Sequence, residues 1–194
     1  MSELIVVDAA AWREWLDEHH GDQPEGVWLV LARKGFSTPT SLTYADALDE
    51  ALCYGWIDGQ KRSRDEQTSV QRFTPRRARS TWSQRNVGKV AQLETDGRMH
   101  AAGRAEVERA KADGRWERAY AAPSKQEVPD DLAAALAAEP KAQAMFEILT
   151  SANRFAVVYR VNGAKKPETR ARRIAQFVDQ LSRGETVYPQ KRTL

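Results

Sequence analysis

Apolar positions at the start of the chain come in two short runs, "ELIVV" and "GVWLVLARK", both rich in β-branched residues, which predicts two strands. The second run does not alternate with polar residues, as a central strand covered on both faces requires. Between them the period lengthens to that of a helix. Asp8 is placed as its N-cap, Trp12, Trp15 and Leu16 form its inward stripe, and Gly21 follows its end at His20. "TYADALDEALCYG" repeats this design, from a Thr43 cap to a Gly55 stop. "WIDGQKR" and "TSVQRFT" then flank the polar turn "SRDEQ", which predicts an antiparallel hairpin.

From Ser83 onward the apolar spacing is helical throughout. "SQRNVGKVAQLETDG" and "AAGRAEVERAKADG" stop at Gly97 and Gly114, and "PDDLAAALAAE" stops before Pro140, which opens "PKAQAMFEILT". "SANRFAVVYRVNG" follows, and Pro167 and Gly184 frame the last helix. The expected fold is therefore α+β: a small, mainly antiparallel sheet with helices in an N-terminal lobe, 1–82, followed by a helical lobe, 83–194, in one continuous structural unit.

Charge sharpens this picture. The net charge is only +3, but residues 1–57 carry −7, 58–85 carry +5, 86–159 carry −1 and 160–194 carry +6. Two separate basic blocks are a stronger pointer to an anionic partner than the overall balance. The first residues have no basic stretch ahead of a long apolar run, and no segment reaches the roughly 20 apolar residues of a membrane span. A single cysteine, Cys53, forbids an intramolecular disulfide. These features suit a cytoplasmic protein.

The first basic block holds the main candidate site. Pro75 extends Thr74, so Arg76, Arg77 and Arg79 lie on a loop leading into a helix capped by Ser83 or Thr81. Orphan N–H groups at that helix start, with arginines beside them, would receive a phosphate or carboxylate. Arg72 on the hairpin and the rings of Trp56, Phe73 and Trp82 complete the surroundings. The competing reading is a solvated basic loop with its rings in the core. Asn86 falls on the apolar face of the helix and needs partners there, either the preceding loop or a ligand. Arg170 continues the stripe of Ile174, Phe177, Val178 and Leu181, so it either opens on a pocket or pairs with a carboxylate, for which Asp58 is the expected partner.

Other constellations are less developed. Cys53 ends a helix with no histidine near in sequence and reads as a small core residue. His19 and His20 diverge by about 100° on a helix, and Glu14, Asp17, Glu18 and Asp22 form an acidic face that would hold a hard cation only loosely. Asp58 as an acid/base has no activating partner in sight. No Gly-rich phosphate loop, paired cysteine ligands or nucleophile elbow is present, and no cofactor is expected.

The succession "EALCYGWIDGQ…QRFTPRR…STWSQRN", then "GRM", "GRW", "KKPETRARRI" and "YP", resembles bacterial proteins grouped as YdeI/OmpD-associated, over about residues 26 to 190. The resemblance implies a link to envelope stress and to resistance against cationic peptides or bacteriocins. The N-terminal lobe also resembles, more faintly, frataxin-like small proteins proposed as iron chaperones. The combined expectation is a non-catalytic binding protein for an anionic small molecule, through Trp56, Asp58, Arg72, Arg76, Arg77, Trp82, Ser83, Asn86 and Arg170. Nucleic-acid binding, with the rings as stacking surfaces, and iron delivery are the alternatives.

Overall fold

The computed structural model describes residues 3–121 and 127–193. The chain forms two compact units, Met1–Ala119 and Tyr120–Leu194. Among the described residues there are eight helices and one four-stranded mixed sheet, which bears out the α+β expectation.

In the first unit, strands β1 (Glu3–Leu4), β2 (Val27–Ala32), β3 (Trp56–Ser63) and β4 (Thr68–Pro75) lie in the order β1-β2-β4-β3. β1 runs parallel to β2, and the other two pairings are antiparallel. β2 is interior to the sheet, and Leu29, Val30 and Leu31 are all buried, as its unbroken apolar run requires. β1 is shorter than "ELIVV" suggests. The Val7 carbonyl is taken by the Ser41 amide at 2.9 Å and Asp8 already caps the next helix, so no further strand pairing can form.

Helix α1 (Ala9–His19) begins where the Asp8 side chain accepts the Ala11 amide at 2.9 Å. Helix α2 (Tyr44–Cys53) begins where Thr43 accepts from Asp46 N. Their apolar faces join Leu29, Leu31, Trp56 and Phe73 in one core. Trp12 anchors it, stacked on Trp15 at 5.2 Å between centroids and donating its indole N–H to Ala47 O. Helices α3 (Gln84–Thr95) and α4 (Ala101–Ala112) bring Val90, Leu93, Val107 and Ala110 into the same core. Helical spacing reveals such helices but not which core they will join.

The second unit packs α5 (Asp130–Ala137), α6 (Pro140–Glu147), α7 (Ser151–Asn162) and α8 (Pro167–Ser182) around Leu132, Leu136, Phe146, Val157, Ile174 and Phe177. Buried Asn153 on α7 donates to Tyr188 O and Gln190 Oε1 and accepts the Tyr188 amide at 2.7 Å, which straps the C-terminal tail onto the helices.

Gly103 is the tightest helical approach in the first unit. A Cβ there would lie 2.1 Å from the Cys53 carbonyl oxygen, which also accepts the His100 amide. Gly103→Ala should push α4 off the end of α2 and cost about 1–3 kcal/mol, read by urea unfolding, with the helical content retained. An unchanged midpoint would show that this contact is not tight in solution.

Candidate functional site

The loop between β4 and α3 was expected to offer its arginines to a ligand, and the structure gives Arg76 and Arg77 protein contacts. Arg76 is buried. Its guanidinium lies 3.6 Å from the Trp82 ring centroid and donates to Thr81 O at 3.0 Å, while its amide donates to Gly55 O. Arg77 is exposed, with its amide on Ser80 Oγ and its guanidinium 3.8 Å from Glu25. Arg72 donates to Glu25 O at 2.9 Å and lies 3.7 Å from the same carboxylate. Exposed pairs at such distances contribute about 0–1 kcal/mol, so Glu25 steers these arginines more than it anchors the loop.

The rings lie inside. Trp56, Phe73 and Trp82 are essentially inaccessible to solvent. Trp56 packs edge-on against Trp12 and Trp15 and donates to His20 O at 3.2 Å, and Trp82 meets Trp116 at 4.8 Å. Ser83 caps α3 by accepting the Asn86 amide at 3.1 Å, and Asn86 is buried beside it. Asp58 accepts the Tyr44 hydroxyl at 2.8 Å. Burial first, and the Asp58 carboxylate second, push that phenol up to about 12. Cys53 is buried, and burial pushes its thiol up to about 11, with Glu50 adding to the shift, so a thiolate is disfavoured.

Arg170 belongs to the second unit and corrects one expectation outright. Its carboxylate partner is Asp131, held by Nε at 2.5 Å and Nη2 at 2.9 Å, with Nη1 on Val161 O. The Arg170 hydrogen bonds hold the Asp131 carboxyl below the usual carboxylate range. The bidentate pair therefore joins α5, α7 and α8. The apolar stripe identified Arg170 as special, but its partner lies 39 residues away in sequence and carries no local signal.

The loop itself is fastened by residues that sequence reasoning did not single out. Glu106 on α4 is 2% exposed and is gripped by Arg109 and by Arg115, whose Nη1 lies 2.8 Å from Oε1. The same Nη1 donates to Ser80 O at 3.1 Å, and Arg115 Nε reaches Asp113 at 2.7 Å. A second buried carboxylate, Glu50, lies between Arg13 Nε at 3.1 Å and Arg98 Nη2 at 2.5 Å. Both glutamates are negative centres inside helices that would otherwise read as ordinary amphipathic faces.

A concave basic surface lies elsewhere, at the hairpin tip. Arg33, Lys61, Arg62, Ser63 and Ser69 line a recess of about 300 Å³. Cross-strand register places Lys61 opposite Gln71 and Ser63 opposite Ser69, on the sheet face that also carries Leu31 and Phe73. Arg33 is pre-set, with Nε on Thr68 O at 3.0 Å and Nη2 on Ser63 Oγ at 2.7 Å. Arg62 stacks over Trp28 at 4.1 Å. The irregularity between Asp58 and Lys61 shifts the register of this outer strand, and cations on such an edge also deter strand-to-strand aggregation. Among the described residues, no group of three His, Cys, Asp or Glu side chains is gathered to hold a metal ion.

Two family models divide the sequence between them. One, described as a domain of unknown function (DUF8412), matches residues 4–106, more than half of the chain. The chain belongs to the DUF8412 family. The other, described as bacteriocin-protection, YdeI or OmpD-associated, matches residues 125–184. The resemblance expected over about 26 to 190 is thus found across the helices of the second unit, while the basic-aromatic stretch lies in the DUF8412 region. No curated protein and no solved structure matches the chain. No helix among the described residues is long and apolar enough to cross a membrane.

The Glu106 clamp makes a direct prediction for this DUF8412 protein. Glu106→Gln leaves Arg115 in a nearly closed site with its main counter-charge removed, so urea unfolding should show a loss of about 3–5 kcal/mol. A loss below about 1 kcal/mol would mean that the clamp does not fasten the loop.

Proposed function

We propose that the protein is a cytoplasmic, non-catalytic binding protein of the YdeI/OmpD-associated type that takes a small phosphate-like anion in the recess at the hairpin tip. One observation carries the reading: Arg33 and Lys61 bring two cations and Ser63 and Ser69 two hydroxyls to the recess, with no carboxylate among its lining residues. Its volume, about 300 Å³, lies at the low end of small-molecule sites and suits a phosphoryl or sulfate group with a small substituent. Arg33 already has its geometry fixed, which lowers the ordering cost of binding.

This reading moves the anion away from Arg72, Arg76 and Arg77, whose contacts with Glu25, Trp82 and Thr81 favour an architectural role for that loop. Burial of Trp56, Phe73 and Trp82 counts against nucleic acid stacking on them. Iron delivery draws no support from the acidic face of α1. The description of the family matched at 125–184 supports a place in bacteriocin or antimicrobial-peptide protection, with the anion as the ligand through which that role is exercised.

Thermal unfolding in phosphate and in chloride at equal ionic strength tests the reading. An anion bound only by the folded state contributes about 2.7 kcal/mol at one hundred times its Kd, so phosphate should raise Tm by several degrees. Lys61→Gln/Arg62→Gln should abolish the increment, and Arg77→Gln should leave it intact. Equal Tm in the two salts, or an increment that survives the Lys61/Arg62 double substitution, contradicts the proposal.

A further inference from the structure

The end of the sheet that carries the recess also carries most of the exposed large apolar side chains. Among the described residues these are Ile5, Val7, Phe36 and Tyr188, and the first three belong to the first unit, at 45%, 66% and 44% exposure. Strand directions explain their convergence. β1 and β2 are parallel, and β3 and β2 are both antiparallel to β4, so the ends of β1, β2 and β3 and the start of β4 share one edge of the fold.

Hydrogen bonds tie the segments leaving that edge to one another. The Ala32 amide donates to Leu42 O at 2.9 Å and closes the base of the 33–41 loop. The Arg33 amide donates to Gln67 O at 2.8 Å, joining the loop to the hairpin turn, and the Ser41 amide donates to Val7 O, joining it to the end of β1. Arg64 on the hairpin bonds Glu3 on β1 at 2.8 Å and Asp65 at 2.9 Å, so one arginine answers both carboxylates. Phe36 sits on a turn whose amide donates to Arg33 O, three residues from a cation of the recess. Exposed Lys34 lies between them. Glu66, on the hairpin turn, is the opposing charge.

Single exposed apolar residues need no explanation. Three of them leave the sheet at the same end as the basic recess, Phe36 three residues from Arg33 and Ile5 alternating with core-packed Leu4 and Val6 onto the opposite face, so this end carries two chemistries. Cations meet phosphate, and Phe36, Ile5 and Val7 meet hydrocarbon. We propose that this end of the sheet docks on an anionic phospholipid surface, with a headgroup phosphate in the Arg33–Lys61 recess, Arg62 adding charge from the other face of the same strand, and Phe36 set into the acyl boundary. The inference rests on the anion reading above and names the source of the anion. Charge complementarity selects anionic over zwitterionic lipid, and binding then combines apolar burial with electrostatic attraction.

Co-sedimentation of the full chain with phosphatidylglycerol/phosphatidylcholine vesicles and with pure phosphatidylcholine vesicles tests it. The mixed vesicles should bind the protein and the zwitterionic ones should not. Phe36→Ser should weaken binding about tenfold, because a half-exposed ring loses its apolar contact. That substitution should leave Tm and its phosphate increment unchanged, which separates lipid contact from folding and from anion binding. Lys61→Gln/Arg62→Gln should weaken vesicle binding at least tenfold. If phosphate raises Tm but neither vesicle binds, the ligand is a free anion, and the lipid inference is wrong while the anion reading stands. If phosphate has no effect, the reading and this inference fall together. Vesicle binding unchanged by Phe36→Ser overturns the insertion.

Discussion

A carboxyl with 2% of its side chain exposed must be paired or hydrogen-bonded, and Glu106 is answered by Arg109 and Arg115. The geometry of the basic loop follows from that requirement. Arg115 can satisfy Glu106 only from inside the unit, and from there its Nη1 also binds Ser80 O, which fixes the loop against α4. Trp116, the next residue, is thereby set against Trp82, and Trp82 forms the platform on which Arg76 lies. One buried negative charge on a helix thus determines how a positively charged loop is folded in. The density of positive charge beside aromatic rings in this stretch is in large part architecture.

The same sheet separates this architecture from the proposed binding surface. Phe73 and Leu29 cover the middle of one face with apolar side chains that meet α1 and α2, while Lys61, Ser63 and Ser69 lie farther along that face. The core gives way to cations there, on a strand that has no further strand beside it among the described residues. Charges on such an edge cost little because they stay solvated, and they protect the edge from pairing with another chain. The proposed binding chemistry therefore adds no large stability penalty to the fold.

Much of the fold was legible in the sequence because local rules suffice for it. Asp8, Thr43 and Ser83 each cap the helix expected of them, and the helices framed by Pro140, Pro167 and Gly184 are present. The interior position of β2 followed from its unbroken apolar run. What local rules do not carry is partner choice across long separations. Arg170 was visible as an arginine in an apolar stripe, but Asp131 was not visible as its partner. Arg76 was visible as a cation beside rings, but its burial on Trp82, whose ring meets Trp116 next to the Arg115–Glu106 pair, was not. The recess was missed for a related reason. Lys61, Ser63, Ser69 and Arg33 come together only through strand register and an irregularity after Asp58, neither of which has a clear compositional mark. The family comparisons divide in a similar way, one over the sheet-bearing unit and one over the helical unit.

Residue-resolved NMR during a phosphate titration at constant ionic strength tests the central claim, that the loop is architecture and the recess is the anion site. The account predicts saturable amide shifts at Arg33, Lys61, Arg62, Ser63 and Ser69, with the amides of Arg76, Arg77 and Asn86 unmoved. Saturable shifts centred on Arg76 to Asn86, with the hairpin tip unmoved, would contradict it.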